Sequence, residues 1–63
     1  MNQKQNLTTV YSAVKVVDPT LERNGQVGTY LGPAEEDGES IVRFDDDKPG
    51  QHDTFANTSL QVL

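Results

Sequence analysis

Two glycines three positions apart, Gly25 and Gly28, open a run of β-favouring residues and constrain most strongly what this chain can fold into. Asn24-Gly25 is the dipeptide best suited to a turn in which two successive residues take positive φ, because glycine has no Cβ and asparagine tolerates that region. We therefore expect a tight turn there and a strand directly after it. Gly28 lies inside that strand, where it predicts a bulge or sharp bend at which another strand passes close, as in small β-barrels.

The length of 63 residues allows one domain with a small core. A chain this short buries only about 60% of the surface that its unfolded form exposes, so its stability is expected to be marginal without a partner. The sequence contains no cysteine, which excludes disulfides and thiolate chemistry. No apolar run approaches the roughly 20 residues of a membrane span, and the N-terminus carries no apolar signal segment. These features predict a cytoplasmic protein that is neither exported nor inserted in a membrane.

The whole chain has a net charge of −5, and its acidic residues are concentrated in the second half. Residues 1–30 hold three basic and two acidic residues, a net +1, whereas residues 31–63 hold two basic and eight acidic residues, a net −6. Nucleic acids and anionic membranes are bound largely through Lys and Arg, so a surface of this sign disfavours both as partners. It favours a basic protein partner, chiefly by accelerating encounter.

The chain begins with polar residues 1–9, which are predicted to form a flexible tail, and residues 10–63 are predicted to form the domain. The first strand is predicted over Val10–Val17, a segment rich in β-branched residues with Val14 and Val16 on one face.

Asp18-Pro19 is expected to end the first strand, because proline has no N–H to donate to a ladder. An exposed loop over Thr20–Asn24 should return the chain, and the second strand is predicted over Val27–Leu31. Gly32-Pro33 is expected to stop it.

A polar hairpin loop is predicted over Ala34–Gly38, followed by a third strand over Glu39–Phe44 with Val42 and Phe44 facing inward. The next connection contains Pro49-Gly50, which suits the two central positions of a type II turn.

The last third of the chain completes the predicted sheet. We expect a short fourth strand over Thr54–Ala56 with Phe55 in the core, a single helical turn over Asn57–Ser59 and a last strand over Leu60–Leu63. Five short strands with one 3₁₀ turn before the last predict an all-β fold, a partly open barrel of the SH3-like kind.

Several of these segments resemble known families. The spacing Gly25-x-x-Gly28-x-Tyr30 after a Val-Lys-Val segment loosely resembles KOW-type barrels. Over residues 12–63 the chain is similar to the photosystem I reaction-centre subunit IV family. The similar segments are Val14-Lys15-Val16, Val27-Gly28-Thr29, Ile41-Val42-Arg43-Phe44, Thr54-Phe55-Ala56 and Leu60-Gln61-Val62. The resemblance implies a five-stranded barrel and an accessory subunit that docks on a larger complex. Members that recruit an acidic ferredoxin are basic, so that role is not carried over to this acidic chain.

Two acidic clusters with one arginine between them are the candidate partner-binding residues. They are Glu35, Glu36, Asp37, Glu39, Arg43, Asp45, Asp46 and Asp47. We expect them to dock on a basic surface of a larger protein, so that the chain is a non-catalytic interaction module or accessory subunit. No catalytic residue, metal site or cofactor is predicted.

Two other hypotheses use the same features. If both acidic loops project on one side, their carboxylates could imitate a row of phosphates, and the chain would be a decoy that inhibits a nucleic-acid-binding protein. The chain could instead form an enzyme by oligomerisation, by analogy with the plasmid-encoded dihydrofolate reductases, whose SH3-like protomers surround a shared pore.

Three local features suggest chemistry and are outweighed by simpler interpretations. His52 is the only histidine and follows a Pro-Gly turn, so a catalytic triad with a serine would need an imidazole positioned in a loop. The consecutive Asp45-Asp46-Asp47 lacks the spacing of a calcium loop and is expected to be a solvated acidic turn. Tyr11 and Tyr30 could line a groove for Pro-rich peptides, although Tyr30 is expected at the rim of the core.

Overall fold

Five strands form a single antiparallel sheet in the computed structural model, which describes residues 6–63. The elements are β1 (Ala13–Val16), β2 (Val27–Pro33), β3 (Glu39–Arg43), β4 (Asp53–Ala56), a 3₁₀ helix η1 (Asn57–Ser59) and β5 (Leu60–Val62). The strand order is β4-β3-β2-β1-β5, so β4 and β5 are the edges and the sheet does not close. The predicted all-β, five-stranded and partly open arrangement with a 3₁₀ turn before the last strand is confirmed.

The core lies on one face of this curved sheet, because alternate residues of each strand point the same way. The buried apolar residues are Val14, Val16, Tyr30, Ala34, Val42, Phe44, Phe55 and Leu60. The rings of Phe44 and Phe55 meet edge to face, with centroids 5.9 Å apart and an interplanar angle of 82°. The inward positions predicted for β1, β3 and Phe55 are therefore correct.

β1 begins three residues later than predicted, because residues 9–12 form a turn. The amide of Ser12 donates to the carbonyl of Thr9 at 3.0 Å, and Tyr11 takes a φ of +75°. Val10 packs against the core from this turn instead of pairing in the sheet. The predicted tail over residues 1–9 falls partly outside the described residues; within it, Leu7 also packs against the core.

The connection from β1 to β2 differs from the predicted two-residue turn. Gly25 has a φ of +89°, but Asn24 does not share this conformation. The loop winds instead through two successive turns, in which Leu21 donates to the Asp18 carbonyl at 3.0 Å and Asn24 donates to the Leu21 carbonyl at 3.1 Å. Gly25 then donates to the Val16 carbonyl at 2.8 Å, which sets the start of β2 beside β1.

The side chain of Asp18 ties this loop to η1. Its carboxylate accepts hydrogen bonds from the Thr20 hydroxyl at 2.6 Å, the Thr20 amide at 3.0 Å and the Ser59 hydroxyl at 2.9 Å. The bonds from Thr20, followed by the bond from Ser59, lower the pKa of Asp18 because they stabilise the ionised form.

Gly28 is required for close approach, whereas the bulge lies elsewhere. A Cβ on Gly28 would stand 2.6 Å from Val42 Cγ1, 2.8 Å from the Arg43 carbonyl oxygen and 3.0 Å from Phe44 Cδ1. The expected close passage of another strand is therefore correct. The register irregularity falls between Tyr30 and Gly32, so the bulge predicted at Gly28 is wrong.

β2 also continues through Pro33 instead of stopping before it. The amide of Ala34 donates to the Glu39 carbonyl across the hairpin at 2.9 Å. Because successive amides of a strand point to opposite sides, the Pro33 nitrogen faces away from β3. On that side β1 pairs with β2 only as far as Thr29, so the missing N–H costs no ladder hydrogen bond.

The turn between β3 and β4 has the predicted form. Gln51 donates its amide to the Lys48 carbonyl at 2.9 Å, and Gly50, at the third position, has a φ of +82°. Pro49-Gly50 therefore occupies the two central positions of the turn.

Candidate functional site

The first acidic cluster forms the exposed tip of the β2–β3 hairpin. Glu35, Glu36 and Asp37 are all exposed, and Glu39 is half-buried at the start of β3. A turn from Glu36 to Glu39, with Gly38 at a φ of +81°, holds the tip. Within residues 6–63, none of these four carboxylates takes part in an ion pair. Their charges are left open to solvent and to a partner.

The second acidic cluster is largely engaged by Arg23, which lies in the loop between β1 and β2. Arg23 Nη1 contacts Asp46 Oδ1 at 2.9 Å, Arg23 Nη2 contacts Asp47 Oδ1 at 3.1 Å, and Arg23 Nε lies 3.7 Å from Asp53 Oδ2. The guanidinium carbon also lies 4.3 Å from the centroid of the Phe44 ring, a cation–π distance. The hydrogen bond with Asp46 and the neighbouring carboxylates raise the pKa of Arg23.

Asp47 is part of the interior, since its side chain is only 2% exposed. Its Oδ2 accepts the amide of Phe44 at 2.9 Å, and its own amide donates to the Phe44 carbonyl at 3.0 Å. This carboxylate therefore closes the turn after β3 and receives Arg23 on its other oxygen. Of the three consecutive aspartates, Asp45 alone is exposed without an ion pair among the described residues.

The two clusters lie at opposite ends of β3. One precedes its first residue, Glu39, and the other follows its last residue, Arg43. A strand of this length spans roughly 17 Å at about 3.3 Å per residue. The two clusters are therefore separated along the sheet by the length of β3.

The two tyrosines have opposite environments. Tyr30 is fully buried, deeper than the predicted core rim, and its hydroxyl accepts the amide of Leu7 at 3.0 Å. Tyr11 is 78% exposed. A groove lined by both rings is therefore not formed. A shallow concavity of about 320 Å³ lies beside Tyr11 alone, and its lining residues are Tyr11, Thr29, Leu31, Arg43, Phe44 and Asp45.

The residues considered for catalysis are dispersed or bound within the fold. His52 is exposed in the loop before β4. The Ser59 hydroxyl donates to Asp18 at 2.9 Å, and the buried Ser40 hydroxyl donates to the side-chain oxygen of Asn57. Among residues 6–63, no three His, Asp or Glu side chains are grouped so that they could hold a metal ion. The part of the chain that the structure describes contains no helix of the length and apolarity that a membrane crossing requires.

Sequence reasoning missed Arg23 and the conformation of Tyr11. Arg23 was expected in an exposed loop, and its contacts with Asp46 and Asp47 span more than 20 positions of sequence. No sequence signal points to Arg23, because exposed aspartates are stable in water without a counter-ion and the run is already flanked by Arg43 and Lys48. Tyr11 carries no such signal, because a tyrosine between Val10 and Ser12 is typical of a strand.

No family model matches this chain, and no curated protein or solved structure matches it significantly.

Proposed function

We propose that this protein is a non-catalytic interaction module, an accessory subunit that docks on a basic surface of a larger protein. The observation that carries the proposal is the tip of the β2–β3 hairpin. Glu35, Glu36 and Asp37 stand exposed at consecutive positions there, with no cation of residues 6–63 within ion-pair distance. A cytoplasmic location is part of the proposal, and the lack of cysteine is compatible with a reducing compartment.

The contrast between the two acidic clusters supports this choice of surface. Asp46 and Asp47 already have their counter-charge in Arg23, and Asp47 is buried. Neutralising Asp47 would disturb the fold, whereas the hairpin tip touches no core residue through its carboxylates. Three adjacent negative charges on the hairpin attract a basic partner mainly by raising the association rate, an effect that falls with ionic strength.

The buried polar groups support a role without chemistry. Within the described residues, every buried side-chain nitrogen or oxygen has a hydrogen-bond partner. The hydroxyls of Ser40 and Ser59 are used to join β3 and the β1–β2 loop to η1. Such groups serve the fold and are not held ready for a reacting substrate.

The proposal is tested by affinity capture from the cells that make the protein. The wild-type chain and the variant Glu35→Gln/Glu36→Gln/Asp37→Asn are immobilised at equal density, and the captured proteins are compared by mass spectrometry. We expect a basic protein that the wild type retains, that moderate salt elutes and that the variant does not retain. Glu22→Gln, which neutralises an exposed acid outside the hairpin, should capture it as the wild type does.

Thermal unfolding of the triple variant provides the folding control. Because the three side chains are exposed, the melting temperature should change little. Equal capture by the folded triple variant and the wild type would refute the proposal.

A further inference from the structure

Tyr11 combines two unfavourable features that the fold does not require. It is the only non-glycine residue among residues 6–63 with a positive φ, at +75°, in the third position of a turn where glycine is favoured. Its ring is 78% exposed, although an aromatic ring contributes most to stability when it is buried. Backbone strain at an exposed aromatic residue points to a role in binding.

Hydrogen bonds join the backbone at Tyr11 to the sheet. Its amide donates to the Tyr30 carbonyl at 2.7 Å, and the Tyr30 amide donates to the Ser12 carbonyl at 2.9 Å. The turn residue is therefore joined to the central strand β2 on both sides. The ring stands at the edge of the concavity of about 320 Å³, whose other lining residues include Leu31 and Arg43. The aromatic ring of Tyr11 and the guanidinium of Arg43 therefore line the same concavity.

The groove formed by this concavity contains a cation that is free to bind a partner. Arg43 is exposed and takes part in no ion pair within residues 6–63. None of the outward-facing residues of the adjacent β1 and β2 is acidic, although the chain has ten acidic residues, and Lys15 of β1 adds a second cation to this face. Asp45, which follows the end of β3, is the one acidic residue among those that line the groove, and it takes part in no ion pair within residues 6–63. The free guanidinium is complementary to a carboxylate.

We propose that this groove binds a segment of another protein that places an aromatic side chain against Tyr11 and a neighbouring carboxylate on Arg43. This surface is separate from the acidic hairpin tip and has the opposite charge preference. The module therefore has two docking surfaces, one for a basic partner and one for an acidic, aromatic segment. The second assignment does not depend on the first.

The binding test is an NMR titration of the ¹⁵N-labelled protein with three capped tetrapeptides that differ at one position. Their central pairs are Asp-Phe, Asn-Phe and Lys-Phe. We expect saturable shifts at Tyr11, Thr29, Leu31 and Arg43, with the Asp-Phe peptide bound most tightly and the Lys-Phe peptide least. Shifts at other residues, an absence of saturation, or tightest binding of the Lys-Phe peptide through Asp45 would each overturn the proposal.

Two variants separate the groove from general effects of charge. Arg43→Gln should weaken binding of the Asp-Phe peptide about threefold to fivefold, as expected for a partly exposed arginine–carboxylate pair. Lys48→Gln removes the same charge from an exposed turn outside the groove lining and should leave the affinity unchanged. Equal weakening by both variants would show that only net charge matters.

Tyr11→Gly removes the ring while suiting the backbone conformation, so the protein should remain folded. We expect binding of the Asp-Phe peptide to weaken by about twofold to tenfold, the range typical of one aromatic contact. Unchanged binding by a folded Tyr11→Gly variant would overturn the proposal.

Discussion

Gly28→Ala should destabilise the protein through packing alone. The new methyl group would lie 2.6 Å from Val42 Cγ1 and 2.8 Å from the Arg43 carbonyl oxygen. Overpacking of this kind costs about 1–3 kcal/mol, and we expect the upper end because one of the two atoms belongs to the backbone and cannot rotate away. Alanine also lowers the conformational entropy of the unfolded chain, which stabilises the folded protein by about 0.5–1 kcal/mol. The net decrease in the free energy of unfolding is therefore about 2 kcal/mol.

That loss is large for a domain of this size. At about 0.05–0.15 kcal/mol per residue, the 63 residues have a total stability of roughly 3–9 kcal/mol. The melting temperature should fall by about 8–16 °C. Urea unfolding followed by circular dichroism measures the free energy directly, and Gly28→Ala/Val42→Ala should show favourable coupling because it removes one of the clashing atoms.

Gly25→Ala is the control for backbone conformation. An added Cβ there has no atom within 4 Å, but φ is +89°, so its cost reports conformational strain without a clash. A Gly28→Ala variant as stable as the wild type would contradict the close approach of β3 to β2. Loss of coupling with Val42→Ala would assign the cost to the contacts with the Arg43 carbonyl and the Phe44 ring.

Three further changes test other parts of the structure. Phe44→Ala removes a ring that packs against Phe55 and should cost about 3–5 kcal/mol in urea unfolding, enough to leave little folded protein; a fully cooperative, stable variant would contradict the described core. Tyr11→Gly should change the free energy of unfolding by less than about 1 kcal/mol, because relief of the positive φ offsets the greater flexibility of glycine; a larger loss would show that the ring is structural. Hydrogen bonds from Thr20 lower the pKa of Asp18 in the folded state, so the stability they supply is present above the usual value of 3.8 and is lost as the pH falls below it. Asp18→Asn should therefore flatten the acid side of a plot of melting temperature against pH, and an unchanged profile would contradict this role.

Local patterns predicted the elements well where one physical rule acts alone. The alternation of Val14 with Val16 and of Val42 with Phe44 placed both pairs in the core, because a strand has a period of two. Pro49-Gly50 predicted its turn, since proline fixes one φ and glycine accepts the other.

Long-range contacts account for what the sequence did not predict. The close passage of another strand at Gly28 was expected, but the sequence did not show that β3 is that strand or that the bulge lies between Tyr30 and Gly32. The same holds for the second acidic cluster, because its counter-ion Arg23 comes from a loop expected to be solvent-exposed. The exposed acidic hairpin tip, in contrast, follows from sequence alone, since polar residues ending in Asp37-Gly38 favour a surface turn.

The central claim is that the hairpin tip is the surface through which the protein docks on a basic partner. Once capture has identified that partner, its Kd should be measured at several ionic strengths for the wild type, Glu36→Lys and Glu22→Lys, two variants with the same change at exposed glutamates. We predict that Glu36→Lys weakens binding about tenfold or more at low salt and reduces its salt dependence, whereas Glu22→Lys stays close to the wild type. Equal effects of the two substitutions, or none from Glu36→Lys, would contradict the claim.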